Sequence, residues 1–228
     1  MEFTVNNSPA YASVTLTLGQ GESFVAEKGA MIGMSDSVSV STSSKTGKGS
    51  GGVLKGLKRM FSGESFFMNT FTAENGPGEV RIAPSLVGDV VHIPLDGEHD
   101  LIVQGSSYLA SSEGIDIDTK WGGFKSFFGG EGLFMVRLSG SGDVFVNSYG
   151  AVFTKKVEEE YIVDTGHIVA FPESLEYDIK RVGGWKSTFL SGEGLVCKFR
   201  GKGTLYMQTH NPPGFGKKLG NMLPPREN

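Results

Sequence analysis

The sequence predicts an all-β protein made of three tandem copies of one small β-sandwich unit. Three observations lead to this prediction. Short runs alternate between apolar and polar residues, 34 glycines lie mostly between those runs, and one pair of linked motifs occurs three times along the 228 residues.

The alternating runs are short and spread over the whole chain. Residues 14–18, 115–118 and 175–179 are examples. Alternation places one set of side chains on a buried face and the other set in water, as in half-buried antiparallel strands. Only residues 53–61 and 215–222 have a pattern that fits a short helix. The fold class is therefore all-β.

The glycines indicate turns rather than a fibrous repeat. Collagen requires glycine at every third position, and this chain lacks that period. Glycine between alternating runs supplies the positive φ angles that tight turns and bulges need. We therefore expect many short strands joined by tight turns.

The repeated motif combines glycine, lysine, phenylalanine and a Gly-Glu pair. Its first two copies, residues 56–68 and 123–135, align without a gap, and the third, residues 184–197, has one extra residue before Gly-Glu. A G-x-G turn and a short strand follow each copy. These turns are at 76–78, 140–142 and 201–203. Two linked motifs in the same order predict an internal repeat.

The spacing of the motifs predicts where the units begin and end. A turn motif at Gly21 matches one at Gly97 and, more loosely, one at Gly166. The first unit carries a Gly/Ser/Lys insertion at 41–52, with the composition of a mobile surface loop. The predicted units are 1–84, 85–153 and 154–211, followed by a Pro/Gly-rich tail at 212–228.

With its three G-E-[GS]-[LF] segments, each followed by a G-x-G turn, the chain resembles the altered inheritance of mitochondria protein 24 family over residues 1–211. Its N-terminus looks more like that of the prokaryotic members. Family members are similar in fold to the trp RNA-binding attenuation protein. The resemblance implies β-sandwiches of a shortened double-stranded β-helix type about a pseudo-threefold axis. It also implies a homo-oligomer, a trimer in particular, and brings no catalytic residues.

Composition narrows the class of protein. The formal charge of −4 gives no general attraction to phosphate, which argues against nucleic acid as a partner. Cys197 is the only cysteine, so no internal disulfide is possible. The N-terminal residues lack the pattern of a signal peptide, and no apolar run approaches the length of a spanning helix. We expect a cytoplasmic protein.

No residue pattern in the chain indicates catalysis. None of the four histidines begins an H-x-H pair with a following carboxylate, the set a cupin-type metal site needs. We interpret His99 and His167 as solvated turn residues and Cys197 as a small buried apolar residue. We therefore predict that the protein is not an enzyme and that it binds no metal and no cofactor.

One acidic residue occurs in the Gly-Glu pair of each motif copy. Glu64, Glu131 and Glu193 would bind a hard cation such as Ca²⁺ if they met at the pseudo-threefold axis. Buried like charges destabilise one another, so we favour polar turn residues instead.

A basic stretch is the candidate interaction surface. No Asp or Glu occurs between Asp36 and Glu64, and apolar residues are interspersed with the cations. A cationic segment beside apolar side chains suits an anionic membrane surface or an acidic protein partner; alternatively, it is a solvated insertion that aids solubility. The cationic residues are Lys45, Lys48, Lys55, Lys58 and Arg59.

These observations favour a non-enzymatic oligomeric scaffold or binding module that acts at a membrane surface. Eight of the 16 phenylalanines lie beside the Gly-Glu turns, more than small units of this size can bury in their own cores, which predicts contacts between chains. One alternative is an RNA-binding ring by analogy of fold, since Lys58, Lys125 and Lys186 recur once per unit. Another is a metal- or sugar-dependent enzyme of the β-helix type, against which the absent histidine cluster counts.

Overall fold

The computed structural model describes residues 1–43, 68–119, 134–181, 195–220 and 222–224, without the side chains at 43, 181 and 217. These residues form eighteen strands, one short α-helix and two 3-10 turns. The predicted all-β class is confirmed.

The strands in chain order are β1 Glu2–Asn6, β2 Ser13–Leu18, β3 Ser23–Glu27, β4 Met31–Met34, β5 Val38–Ser43, β6 Met68–Ala73, β7 Gly78–Ile82, β8 Val90–Asp96, β9 Leu101–Gln104, β10 Tyr108–Ser112, β11 Ile115–Asp118, β12 Met135–Asn147, β13 Val152–Val157, β14 Glu160–Asp164, β15 Ile168–Pro172, β16 Glu176–Arg181, β17 Leu195–Arg200 and β18 Gly203–Gln208. The 3-10 turns are Gly105–Ser107 and Thr165–His167, and the helix, α1, is Pro212–Gly220.

After β1, the strands form three successive sets, β2–β7, β8–β12 and β13–β18, one in each third of the chain. The antiparallel pairs follow the same order in each set. In the first third of the chain, β2 and β4 both pair with β7, while β3 and β5 both pair with β6. In the last third, β13 and β15 pair with β18, and β14 and β16 pair with β17. The middle third uses one long strand, because β8 and β10 pair with the C-terminal half of β12 while β9 and β11 pair with its N-terminal half.

The long strand β12 corrects one sequence prediction. A chain-reversing G-x-G turn was expected at 140–142, but the chain continues through Gly140 and Gly142 within β12. Gly140 pairs with Ile115 of β11, and the next residue pairs with Asp96 of β8, so the strand changes partners at this glycine. Gly140 has φ +107°, and a Cβ there would lie 2.4 Å from a backbone oxygen, so only glycine fits the kink.

The looser turn match at Gly166 is wrong. Gly21 and Gly97 both lie in the turn that precedes the second strand of a set, before β3 and β9 respectively. Gly166 instead lies in the 3-10 turn after β14, which is the second strand of its set. The turn that corresponds to Gly97 is the one between β13 and β14, where the chain has Glu158 and Glu159.

Two seams join the thirds of the chain. The third strand of the middle set, β10, pairs with β3, with Ala110 opposite Ala26. The third strand of the last set, β15, pairs with β9, with Ala170 opposite Val103. Both seams therefore join a third strand to the second strand of the preceding set.

Three apolar clusters form the interior of the described residues, one for each third. The first contains the stacked rings of Phe24 and Phe71, whose centroids are 4.9 Å apart. The last contains Phe171 against Phe199, also at 4.9 Å but nearly edge to face. Burial of each such ring contributes about 1.5–3 kcal/mol, so these clusters hold the strand sets together. The unit limits 1–84, 85–153 and 154–211 and the pseudo-threefold axis stay predictions.

Helix α1 lies in the tail, where the sequence allowed a short helix at 215–222. It begins earlier because Pro212 fits the first helical turn and the Asn211 Oδ1 atom accepts a hydrogen bond from Gly214 N at 3.2 Å. Its Phe215 ring lies 5.3 Å from the ring of Tyr149. Within the described ranges, no helix has the length and apolar character to span a membrane.

Candidate functional site

The predicted interaction surface lies outside the described residues. This applies to Lys45, Lys48, Lys55, Lys58 and Arg59. The strands on either side are described, and they pair antiparallel up to Ser43 opposite Met68. The basic stretch therefore joins two hydrogen-bonded strands, β5 and β6.

The other two copies of the motif have the same place in the strand order. The second copy joins β11 to β12, where Asp118 lies opposite Arg137. The third joins β16 to β17, where Arg181 lies opposite Leu195. In every set, therefore, the motif joins the fourth strand to the fifth. The glycine-linked carboxylates Glu64, Glu131 and Glu193 lie within these segments and outside the described residues.

The histidines lie in separate places. His99 is exposed in a turn with its Nδ1 atom 3.3 Å from Asp96 Oδ2, as predicted. His167 is only half exposed, and its Nδ1 atom lies 2.8 Å from the backbone oxygen of Gln208. In the part of the chain that the structure describes, no three His, Cys, Asp or Glu side chains are grouped so as to hold a metal.

His92 has a partner that the sequence did not indicate. Its Nε2 atom lies 2.7 Å from Asp143 Oδ1, across the pair formed by β8 and β12. The His92 ring also lies against Phe3 and Phe145, with centroids 4.4 and 5.4 Å away. His92 and Asp143 are 51 positions apart in the sequence, so only the register of the strands brings them together. Phe3 lies in β1, which has no counterpart among the described strands of the other two sets.

A polar groove of about 340 Å³ lies beside this pair, where the first and middle thirds meet. The amino group of Met1 is 2.6 Å from Glu22 Oε1, and Ser23 Oγ donates to Glu113 Oε2 at 2.7 Å. The hydrogen bond from the Met1 ammonium group, with another from Gly19 N, holds the pKa of Glu22 below its ordinary value. Each carboxylate in the groove, including Asp143, already has a hydrogen-bonding neighbour. The hydrogen bond from Ser23 to Glu113 therefore links the first and middle thirds across the groove.

Cys197 is buried in β17, as predicted. Removal from water raises the pKa of its thiol to about 12, and the nearby charge of Asp178 acts in the same direction. Only the thiolate is reactive, and a thiol with this raised pKa stays protonated at neutral pH. Cys197 therefore behaves as a small buried apolar residue.

Known proteins match the chain over almost its whole length. Residues 3–210 match the family model described as Mitochondrial biogenesis AIM24. The chain belongs to this family. It is 32% identical to an uncharacterized protein of Streptococcus pyogenes serotype M6, covering all of this chain and 93% of that protein. The resemblance inferred from the repeated motifs is confirmed.

A solved structure is similar to this AIM24-family chain in fold. It is the X-ray crystal structure of another Streptococcus pyogenes protein, with a TM-score of 0.77 and 28% sequence identity. The match covers 97% of this chain and 99% of the other. The names of these relatives state no activity, so the proposal for function rests on the arrangement of the chain itself.

Proposed function

We propose that the chain is a non-enzymatic oligomeric scaffold or binding module, which holds its three motif copies on one repeated β framework. The observation that supports this is the common place of the copies, each joining the fourth strand of a set to the fifth. A chain that repeats one pairing order and places related segments at the same point in it suits a multivalent binder.

The strands that follow the first two motif copies begin with buried residues. Met68 and Met135, the first residues of β6 and β12, are each less than 5% exposed. Met68 packs into the apolar cluster of the middle third, and Met135 into that of the last third. Anchored strands at the end of a binding segment limit the freedom that the segment loses when it binds a partner.

For the partner, we propose an anionic membrane surface. The chain carries five cationic side chains and no acidic ones between Asp36 and Glu64. Each Lys or Arg near an anionic bilayer contributes about 1 kcal/mol, and the effect decreases within a Debye length. Apolar residues beside the charges would add contact with the lipid.

Co-sedimentation with vesicles of phosphatidylserine and phosphatidylcholine tests this proposal. The test variant changes Lys45, Lys48, Lys55, Lys58 and Arg59 to Ser. A matched control removes the same charge elsewhere by changing Lys155, Lys156, Lys180, Lys202 and Lys218 to Ser. We expect salt-sensitive binding for the natural chain and the control, and a loss of at least about tenfold for the test variant. Equal loss in both variants, or no binding to these vesicles, would refute the membrane proposal.

A further inference from the structure

The two seams follow one rule, and among the described strands the rule leaves one edge of β4 and one edge of β14 unpaired. In each seam the third strand of one set pairs with the second strand of the set before it. The first set has a third strand, β4, with no set before it. The last set has a second strand, β14, with no set after it. Among the described residues, β4 pairs only with β7 and β14 only with β17.

Strand β4 has the local shape of the seam strands β10 and β15. All three carry a bulge at the same position, since the register shifts across Ile32 in β4, across Leu109 in β10 and across Val169 in β15. Leu109 and Val169 are fully buried, whereas Ile32 is 58% exposed. Met31 and Met34, on either side of Ile32, are also more than 40% exposed. The apolar side chains that β4 carries are therefore uncovered.

Strand β14 shows the same contrast with β3 and β9. Its central residue Ile162 corresponds to Val25 and Ile102, because the strands align through the seam register and the 3-10 turns that follow β9 and β14. Val25 is 2% exposed and packs into the cluster of the middle third, and Ile102 is fully buried in that of the last third. Ile162 is 59% exposed. Each second strand thus inserts one apolar side chain into the next set, and Ile162 has no next set.

A groove lies alongside β4. It has a volume of about 440 Å³ and is lined by Ile32, Gly33, Met34 and Ser35 of the β4 edge and by Glu79 and Arg81 of β7. An open edge with unpaired backbone groups and apolar side chains is a template for another strand.

We propose that a second copy of this chain covers the β4 edge with its own β14. The two internal seams fix the register, which places Met34 opposite Ile162 and Gly33 opposite Val163. The contact would repeat a seam that the molecule already forms twice, and it would bury the exposed side chains of both edges. This inference deepens the oligomeric part of the proposed function by naming the contact between chains.

The contact is head to tail, because two different surfaces meet. Each chain then keeps one free β4 edge or one free β14 edge, and further copies add until a ring closes or a filament grows. Two variants, each blocked at only one of the two edges, therefore give a specific result when they are mixed. A chain blocked at β4 and a chain blocked at β14 each lack one surface, yet together they retain one complete seam.

The test uses Ile32→Lys and Ile162→Lys, because lysine at a strand edge opposes pairing and both side chains are already exposed. Val87→Lys, at an apolar side chain that is 54% exposed outside both edges, is the matched control. By light scattering, the natural chain and the control should exceed the 24.4 kDa of one chain, and each edge variant alone should be monomeric. An equal mixture of the edge variants should give a dimer of twice 24.4 kDa. A monomeric natural chain, or a mixture that stays monomeric, would overturn the proposal.

Cross-linking separates a second copy from closure within one chain. A mixture of Met34→Cys and Ile162→Cys proteins should form a disulfide-linked dimer, while a mixture of Met34→Cys and Val87→Cys should not. The natural Cys197 is buried and does not compete. If the double variant Met34→Cys/Ile162→Cys oxidises entirely within single chains, β14 covers its own β4 and the proposal is wrong. Neither experiment contains lipid, so their outcome is independent of the membrane proposal.

Discussion

The corresponding residues Ile102 and Ile162 allow a quantitative test of the seams. Both are isoleucines at the centre of a second strand, but Ile102 is fully buried in the next set and Ile162 is 59% exposed. Truncation of a buried isoleucine to alanine costs about 2–5 kcal/mol, whereas a surface change usually stays within about 0.5 kcal/mol. We therefore expect Ile102→Ala to lower the free energy of unfolding by about 3 kcal/mol and Ile162→Ala to leave it nearly unchanged.

Both changes are made in a chain that already carries Ile32→Lys, so that association does not contribute to stability. Urea and thermal unfolding followed by circular dichroism give the two differences. In a chain of this size, 1 kcal/mol corresponds to about 2–4 °C, so Ile102→Ala should lower Tm by roughly 6–12 °C. Equal effects of the two substitutions would refute the assignment of Ile102 to a buried seam and Ile162 to an open edge.

Three further predictions follow from the described contacts. Cys197 should resist iodoacetamide at pH 8 in the folded chain and react on unfolding, because burial raises the pKa of its thiol to about 12. In a chain that carries Ile32→Lys, Gly88→Ala should lower stability by about 1–3 kcal/mol in urea, since a Cβ there meets a backbone oxygen at 1.8 Å, while Gly33→Ala, with open space around it, should have little effect. The lowered pKa of Glu22 means that its contact with the Met1 amino group stabilises the fold above pH 4.5 and is lost below it, so Glu22→Gln should flatten the acid side of the stability curve.

Local pattern was enough to predict the fold class and several strands. The alternating residues 14–18 lie within β2, and 115–118 are β11 itself. Such runs are readable because one face of each strand packs into an apolar cluster and the other does not. Strand β4 has no such pattern, since Met31, Ile32 and Met34 are all apolar and all exposed.

The sequence was enough to predict that the motif of the candidate site is repeated, but not which side chains lie in contact. The motif copies could be aligned from sequence, and the structure places each between the fourth and fifth strands of a set. The pair of His92 and Asp143 could not be found, because it depends on the register of β8 against β12. Gly166 was misaligned because a glycine in a 3-10 turn and a glycine in a hairpin turn look alike in sequence.

Hydrogen–deuterium exchange measured by mass spectrometry tests the central claim directly, that β4 and β14 are the two halves of an unfilled seam. The natural chain at high concentration is compared with the Ile32→Lys variant. We expect backbone amides in peptides covering Met31–Met34 and Glu160–Asp164 to exchange faster in the variant, with no change across the internal seam strands β10 and β15. Unchanged exchange at Glu160–Asp164, or protection that differs at another surface instead, would contradict the account.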